Sequence, residues 1–161
     1  MRDDARPPAV FDLDGTLADA GHRQHFLEGR RDWSAFFAAA VDDPPLAQGV
    51  ALARSSAEEC EVLHLTGRPE RCRRDTLAWL EQQGLPRGSL CMRRDDDRRP
   101  ARHTKPEIPK RLARNRDVRL LVDDDELVCV AAERAGFTVL RARWAASSPG
   151  MRDAQEREGR T

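Results

Sequence analysis

The sequence predicts an α/β chain: a doubly wound parallel sheet with a minimal helical cap. Three observations carry this prediction. Short apolar runs at 9–13, 61–65 and 118–122 read as buried strands, each bounded by polar or turn residues. Helical patterns at 46–56, 70–83, 105–114 and 126–135 alternate with them, which is the order of a parallel sheet with crossover helices. The residues able to do chemistry fall where the strands end: Asp12 and Asp14, then Thr66, then Asp123 and Asp124. Right-handed crossovers collect such ends at one edge of the sheet, outside which ligands bind.

Each element has its own local reason. Residues 1–8 are polar and carry two prolines, so they form a lead. The run 9–13 is the first strand, and Gly15 turns the chain out of it. At 33–41, Trp33, Phe36, Phe37 and Val41 recur at helical spacing, and Asp42-Asp43-Pro44-Pro45 breaks the helix. Residues 61–65 form the second strand and run into Thr66-Gly67-Arg68-Pro69. The helix 70–83 has Pro69 near its start, Leu77 and Leu80 on one face, and Gly84 at its end. Residues 89–92 form a short strand, and 93–102 a charged loop. Residues 118–122 and 137–140 complete the sheet, with Gly136 closing the helix between them. The segment 19–58 is too short for a large lid. An open site suits a polymer end better than an enclosed small metabolite. Residues 1–144 are expected to form one domain, with 145–161 a polar, flexible tail.

Composition narrows the function. The chain has 161 residues with 28 basic and 28 acidic ones, enough for a single core but not the basic balance of a duplex-coating protein. The cysteines Cys60, Cys72, Cys91 and Cys129 are scattered and form no C-x-x-C pair, which argues against zinc. No apolar run approaches membrane-spanning length and no secretory leader opens the chain, so a reduced, cytoplasmic setting is the expectation.

Asp12, Asp14, Asp123 and Asp124 together crowd like charges into one place. Such charges raise one another's pKa or take up a cation, and oxygen-only ligands select a hard ion such as Mg²⁺. Asp12 is then placed to attack phosphorus, and Asp14 to give a proton to the leaving oxygen and later activate water. The Thr66 hydroxyl and the Lys105 ammonium suit phosphoryl oxygens.

This ordered set, Asp12-Leu13-Asp14-Gly15-Thr16, Thr66-Gly67-Arg68, Lys105 and Asp123-Asp124, resembles the haloacid dehalogenase (HAD) superfamily of aspartate-nucleophile phosphatases. A narrower likeness runs through Thr66-Gly67-Arg68-Pro69-Glu70, Thr76-Leu77-Ala78-Trp79-Leu80, Gly84-Leu85-Pro86, Leu90-Cys91-Met92-Arg93 and Lys105-Pro106-Glu107-Ile108. These resemble the phosphatase domain of phage and bacterial polynucleotide kinase-phosphatases. Asp32-Trp33, Phe36-Phe37 and Asp42-Asp43-Pro44-Pro45 fit the same group. The resemblance implies catalytic Asp12, Asp14, Thr66 and Lys105, and Mg²⁺ at Asp12, Asp14, Asp123 and Asp124. It implies substrate contacts from Thr16, Gly67, Arg68 and Arg93. It further implies a substrate with a phosphate on a nucleotide or on a nucleic-acid 3′ end. One position departs: the resembling domains often read Arg-Pro-Asp before the lysine, and here Arg99-Pro100-Ala101 stands. No G-x-x-x-x-G-K-[ST] is present, so a kinase half is not expected.

Plainer readings stand beside these. His22 and His25 read as a surface pair, since two histidines without a third ligand make a poor metal site. Trp33, Phe36 and Phe37 read as the core of a cap helix before they read as a base-stacking platform. The arginines of 93–102 divide evenly between substrate contacts and a solvated loop neutralised by Asp95, Asp96 and Asp97. A nucleotidase or small-metabolite phosphatase is the first functional alternative, and a non-catalytic binding module the second.

Overall fold

The computed structural model describes residues 5–146 and 149–161. Residues 1–4 of the expected lead and 147–148 of the expected tail lie outside the described residues.

Five parallel strands form the sheet: β1 (Pro8–Phe11), β2 (Glu61–Pro69), β3 (Leu90–Arg93), β4 (Leu120–Asp123) and β5 (Val139–Arg141). Their order is β3-β2-β1-β4-β5, with β1 in the centre and every pairing parallel. The reversal of winding at β1 is the point where doubly wound sheets bind ligands.

Period-two alternation assigns the two faces of the sheet. Ala9, Phe11, Val62 and Val122 point to one side and pack with Val50 and Ala53 of α2 (Ala47–Ser56) and Trp79 and Leu80 of α3 (Arg73–Gln82). Val10, Leu65 and Leu121 point to the other. There they meet Ala132 of α6 (Glu126–Arg134) and Ile108 and Leu112 of α5 (Glu107–Leu112). Both faces of β1 are buried, as a central parallel strand requires.

The elements sit close to their sequence-based bounds, with shifts of physical interest. Strand β2 extends through Thr66, Gly67 and Arg68 to Pro69, because β3 pairs alongside it across a register shift between Leu65 and Pro69. Irregularities of this kind re-aim side chains beside active sites. The predicted helix 105–114 begins earlier, as a turn α4 (Ala101–Thr104) inside what reads as a loop.

The cap is small: a 3₁₀ turn at Gly21–Leu27, then α1 (Trp33–Ala38), then a second 3₁₀ turn at Ala39–Asp42. Asp32 caps α1, accepting from the Ala35 amide at 3.0 Å. Trp33, Phe36 and Phe37 are indeed the core of this cap, together with Ala20 and Leu27.

The tail differs from its sequence reading. Residues 149–158 are helical, beginning with α7 (Pro149–Asp153), and pack on the cap. One apolar residue in a polar segment, Met151, fills the cap core beside Phe36 and Phe37. Asp153 and Glu158 both pair with Arg31. A single anchor and these ion pairs leave no periodic pattern to read.

Candidate active site

Strand β1 hands over to the site at Asp12, whose amide continues the ladder by donating to Val122 O at 2.9 Å. The chain then folds tightly, with the amides of Thr16, Leu17 and Ala18 all donating to Leu13 O. Gly15 has φ +84, and a Cβ there would lie 2.1 Å from Asp124 Oδ2. Backbone conformation and the closeness of Asp124 both require glycine.

Lys105 follows α4 and points back under the sheet edge. Its Nζ donates to Asp12 Oδ1 at 2.8 Å and to Asp123 Oδ2 at 2.9 Å. The Thr16 hydroxyl donates to the other Asp12 oxygen at 3.3 Å. The Asp125 amide holds Asp123 Oδ1 at 2.9 Å. Asp12, Asp123 and Lys105 are each 3 % exposed or less. Burial works against the Lys105 charge, yet Asp12 and Asp123 outweigh it and raise its pKa well above the ordinary value.

Carboxylate oxygens of Asp12, Asp123 and Asp124 lie within 4.8 Å of one another. Lys105 is hydrogen-bonded to two members of this group, and Asp124 Oδ1 is buried with no partner among the described residues. Asp123 is pushed up to about 6 by burial and by the charge of Asp12. Asp124 is raised well above its ordinary value by the same two causes. An unpartnered buried oxygen among three acids fits a hard divalent cation, which all-oxygen donors favour.

Asp14 stands apart from that cluster. Arg68 grips it from Nη2 at 2.5 Å and from Nε at 3.2 Å, and Arg23 Nη2 adds a bond at 3.0 Å. Asp43 closes the arrangement, accepting from Arg23 Nε at 2.8 Å and Arg68 Nη2 at 3.1 Å. Burial opposes the Asp14 charge, but Arg68 and then Arg23 prevail and hold the carboxyl well below the usual range. Two acids and two fully buried arginines thus form one neutral network. The sequence reading places Asp14 among like charges and metal ligands. The structure corrects its surroundings: the chain returning through Arg23 and β2 delivers two guanidinium groups to it.

A cavity of about 430 Å³ opens at Gly15 and Asp124. Asp19, Arg141 and Arg143 line it on one side, and Met151, Arg152 and Gln155 of the C-terminal segment on another.

A family model described as the polynucleotide kinase PNKP phosphatase domain matches residues 7–145. The chain belongs to this family of HAD phosphatases. Among solved structures, a chain of the Pnkp1/Rnl/Hen1 complex superposes with a TM-score of 0.67 at 24% identity, over 91% of this chain and 50% of that one. The PNKP-type chain therefore spans about half the length of that protein. A haloacid dehalogenase-like hydrolase from Streptococcus pneumoniae gives 0.65 at 14% identity, over 94% and 92%. A HAD family enzyme from Bacteroides thetaiotaomicron, in complex with magnesium and inorganic phosphate, gives 0.52 at 11%, over 91% and 99%. Such identities speak for the fold. Among curated proteins none matches.

Within the PNKP-type fold the remaining expected residues are accounted for. Thr66 is buried at the end of the apolar stretch of β2, and its hydroxyl accepts from the Arg68 amide at 3.1 Å. Gly67 and Arg93 brace each other: Arg93 Nε donates to Gly67 O at 3.1 Å, Nη1 to Arg99 O at 2.7 Å and Nη2 to Thr161 O at 3.3 Å. Expected as a substrate contact, Arg93 instead has its donors on backbone carbonyls. The charged loop is largely self-neutralised, with Arg99 on Asp97 at 2.8 Å and Arg94 on Asp96 at 3.3 Å. His22 joins the Asp43 network at 2.6 Å, so it is more than half of a surface pair. Ala101, where resembling domains often carry aspartate, is fully buried at the start of α4. Lys105 takes its two carboxylates from Asp12 and Asp123 without it.

Arg23 and Asp43 are the site residues that sequence reading missed. Arg23 lies in a mixed polar stretch and Asp43 in a helix-breaking Asp-Asp-Pro-Pro, where neither has a periodic signal. For Arg23 the hint was its place in the segment that must cover the strand ends; for Asp43 it was the Asp42-Asp43-Pro44-Pro45 likeness, which assigned it no role. Among the described residues no helix is long and apolar enough to cross a membrane.

Proposed function

We propose that this phosphatase is a magnesium-dependent phosphomonoesterase that removes the 3′-phosphate from nucleic-acid ends or nucleotides through an aspartyl-phosphate on Asp12. The observation that carries the reading is Lys105 bridging Asp12 and Asp123 at the carboxyl ends of the two central strands. Family membership over residues 7–145 supports the substrate class. So does the likeness to a chain of the Pnkp1/Rnl/Hen1 RNA repair complex.

Magnesium, held by Asp12, Asp123 and Asp124, would neutralise these acids and the phosphate that joins them. Lys105 and Thr16 fix the Asp12 carboxylate. One Asp12 oxygen attacks phosphorus, the bond from phosphorus to the ribose oxygen breaks, and Asp14 delivers a proton to that oxygen. Asp14 then takes a proton from water as the water oxygen attacks phosphorus. The Asp12–phosphorus bond breaks, phosphate leaves, and both aspartates return to their starting forms. Asp14 can hold a proton only once the charge of its arginines is offset. The negative charge of an arriving phosphate would offset these arginines, and the proton of a phosphate monoanion would pass to Asp14, which returns it to the departing phosphate at the end of the cycle.

One observation favours a second reading, a phosphatase for free nucleotides or another small metabolite. The site is more enclosed than its short cap predicts, because residues 151–155 wall the cavity. The test is kcat/KM across a 3′-nucleotide, a 5′-nucleotide, a 3′-phosphorylated oligonucleotide and sugar phosphates. A 3′-phosphate should win by about tenfold or more, equivalent to ~1.4 kcal/mol. A similar margin for a sugar phosphate overturns the nucleotide reading, and one for the 5′-nucleotide makes the enzyme a nucleotidase.

A further inference from the structure

The C-terminal segment follows one line across the site, and the residues it covers share a chemistry. Glu158 accepts from Arg31 and from Trp33 Nε1, the latter at 3.1 Å. Asp153 accepts from the same Arg31 at 2.6 Å. Glu156 accepts from Arg102 at 3.1 Å on the opposite side of the mouth. Arg160 lies over the Trp33 ring at 5.7 Å. The chain then presses against Arg98 at Gly159 and against Gly67 at Thr161. Arg31 and Trp33 belong to the cap, Arg102 to α4, and Gly67 to the end of β2 beside Thr66.

Without the segment, these residues form a strip of arginines with one indole, leading to the strand ends. The spacing of cation, aromatic and cation is what a single strand meets on proteins that bind it: guanidinium groups for phosphates and a ring for a base. The segment puts carboxylates where phosphates would lie. Arg152 and Arg157 are both exposed, and Arg157 pairs with Asp153 at 2.8 Å. The segment carries as many basic as acidic residues, but all three of its acids bond to Arg31, Trp33 or Arg102, while among its arginines Arg160 alone lies on that strip, over the Trp33 ring.

We propose that residues 149–161 form a strap that holds the place of a nucleic-acid strand. Asp153, Glu156 and Glu158 occupy Arg31, Trp33 and Arg102. These receive backbone phosphates and a base when a 3′-phosphorylated single strand binds and displaces the strap. This rests on the nucleic-acid reading above and deepens it. It also accounts for the walling of the cavity by Met151, Arg152 and Gln155 in an enzyme for polymer ends: a polymer must first lift the strap.

The experiment compares the wild-type enzyme with D153N/E156Q/E158Q, which keeps side-chain shape and removes charge. The substrates are thymidine 3′-monophosphate and a short 3′-phosphorylated oligothymidylate. For the oligonucleotide the variant should show KM lowered about threefold to tenfold, the effect of removing two or three partly exposed ion pairs, with kcat unchanged. Mononucleotide kcat/KM should stay within about twofold, below what one such ion pair is worth. In the opposite direction, R31A and R102A should each raise the oligonucleotide KM. Each should also flatten its log–log salt dependence by about 0.7, the value for one phosphate of a single strand. An oligonucleotide KM unchanged or raised in the triple variant, with the mononucleotide still turned over, overturns the strap alone. Failure of the wild-type enzyme on both 3′-phosphates overturns the underlying reading and the strap with it.

Discussion

Arg68 and Asp14 are locked together by two nitrogens of one guanidinium, and Asp43 accepts from one of the same two, Nη2, at 3.1 Å. Asp43 shares Arg23 with Asp14 in the same way. Neither arginine faces solvent, so Asp43 sets the orientation of the groups that bind Asp14.

Asp43→Ala should therefore damage both stability and catalysis. Removing one partner from a buried charge network costs about 3–5 kcal/mol, because the remaining charges are left uncompensated. Urea unfolding reads the first effect. Asp43→Asn, which keeps the shape and the acceptor oxygen, should recover much of the stability while kcat/KM remains depressed. Wild-type kinetics in Asp43→Asn would show that Asp43 has no part in placing Arg23 and Arg68.

Metal binding has a readout independent of turnover. Mg²⁺ should raise the melting temperature, since the clustered acids Asp12, Asp123 and Asp124 gain a counter-ion. At a hundredfold excess over Kd the gain is about 2.7 kcal/mol. Each kcal/mol is worth roughly 2–4 °C for a chain of this size. Asp123→Asn should abolish the shift, and excess chelator should stop turnover until Mg²⁺ is restored. An equal shift in Asp123→Asn places the metal elsewhere.

His64 gives a pH dependence of known sign. His64 is 1 % exposed, with Nε2 on Pro86 O at 3.2 Å and Nδ1 without a partner among the described residues. Burial lowers its pKa in the folded protein, so folding favours the neutral ring. The unfolded chain takes up the proton near pH 6.5. The His64 contribution is therefore complete above about pH 6.5 and is lost as pH falls towards the lower folded value. His64→Gln, which does not titrate, should show a shallower loss of stability between pH 7 and 5.5 in urea melts. Parallel pH profiles for the two proteins would contradict this.

Much of the fold and half of the site could be read from the residues in order. The strands announce themselves because both faces of a central parallel strand are apolar, and Asp12, Thr66 and Asp123 stand where each run stops. Lys105 was legible through its place in the ordered set of motifs, between Thr66-Gly67-Arg68 and Asp123-Asp124. Arg23 and Asp43 were not, since their role arises from a long-range pairing that no local pattern encodes. The strap was illegible for a related reason: Met151 is its single apolar anchor, and its acids take on meaning only opposite Arg31 and Arg102. The surroundings of Asp14 were misread because adjacency in sequence to Asp12 says nothing about which arginines the fold brings in.

The central claim is that Asp12 is the nucleophile, and single-turnover labelling tests it most directly. Substrate labelled in its phosphoryl group is mixed with enzyme and quenched in acid, and the peptide containing Asp12 is recovered. The account predicts label on that peptide, sensitive to hydroxylamine as an acyl phosphate is. It also predicts that Asp12→Asn stays folded, carries no label and loses at least ~10³ in kcat, in line with the removal of other catalytic nucleophiles. Asp12→Asn with wild-type kcat, or label on a different residue, would contradict it.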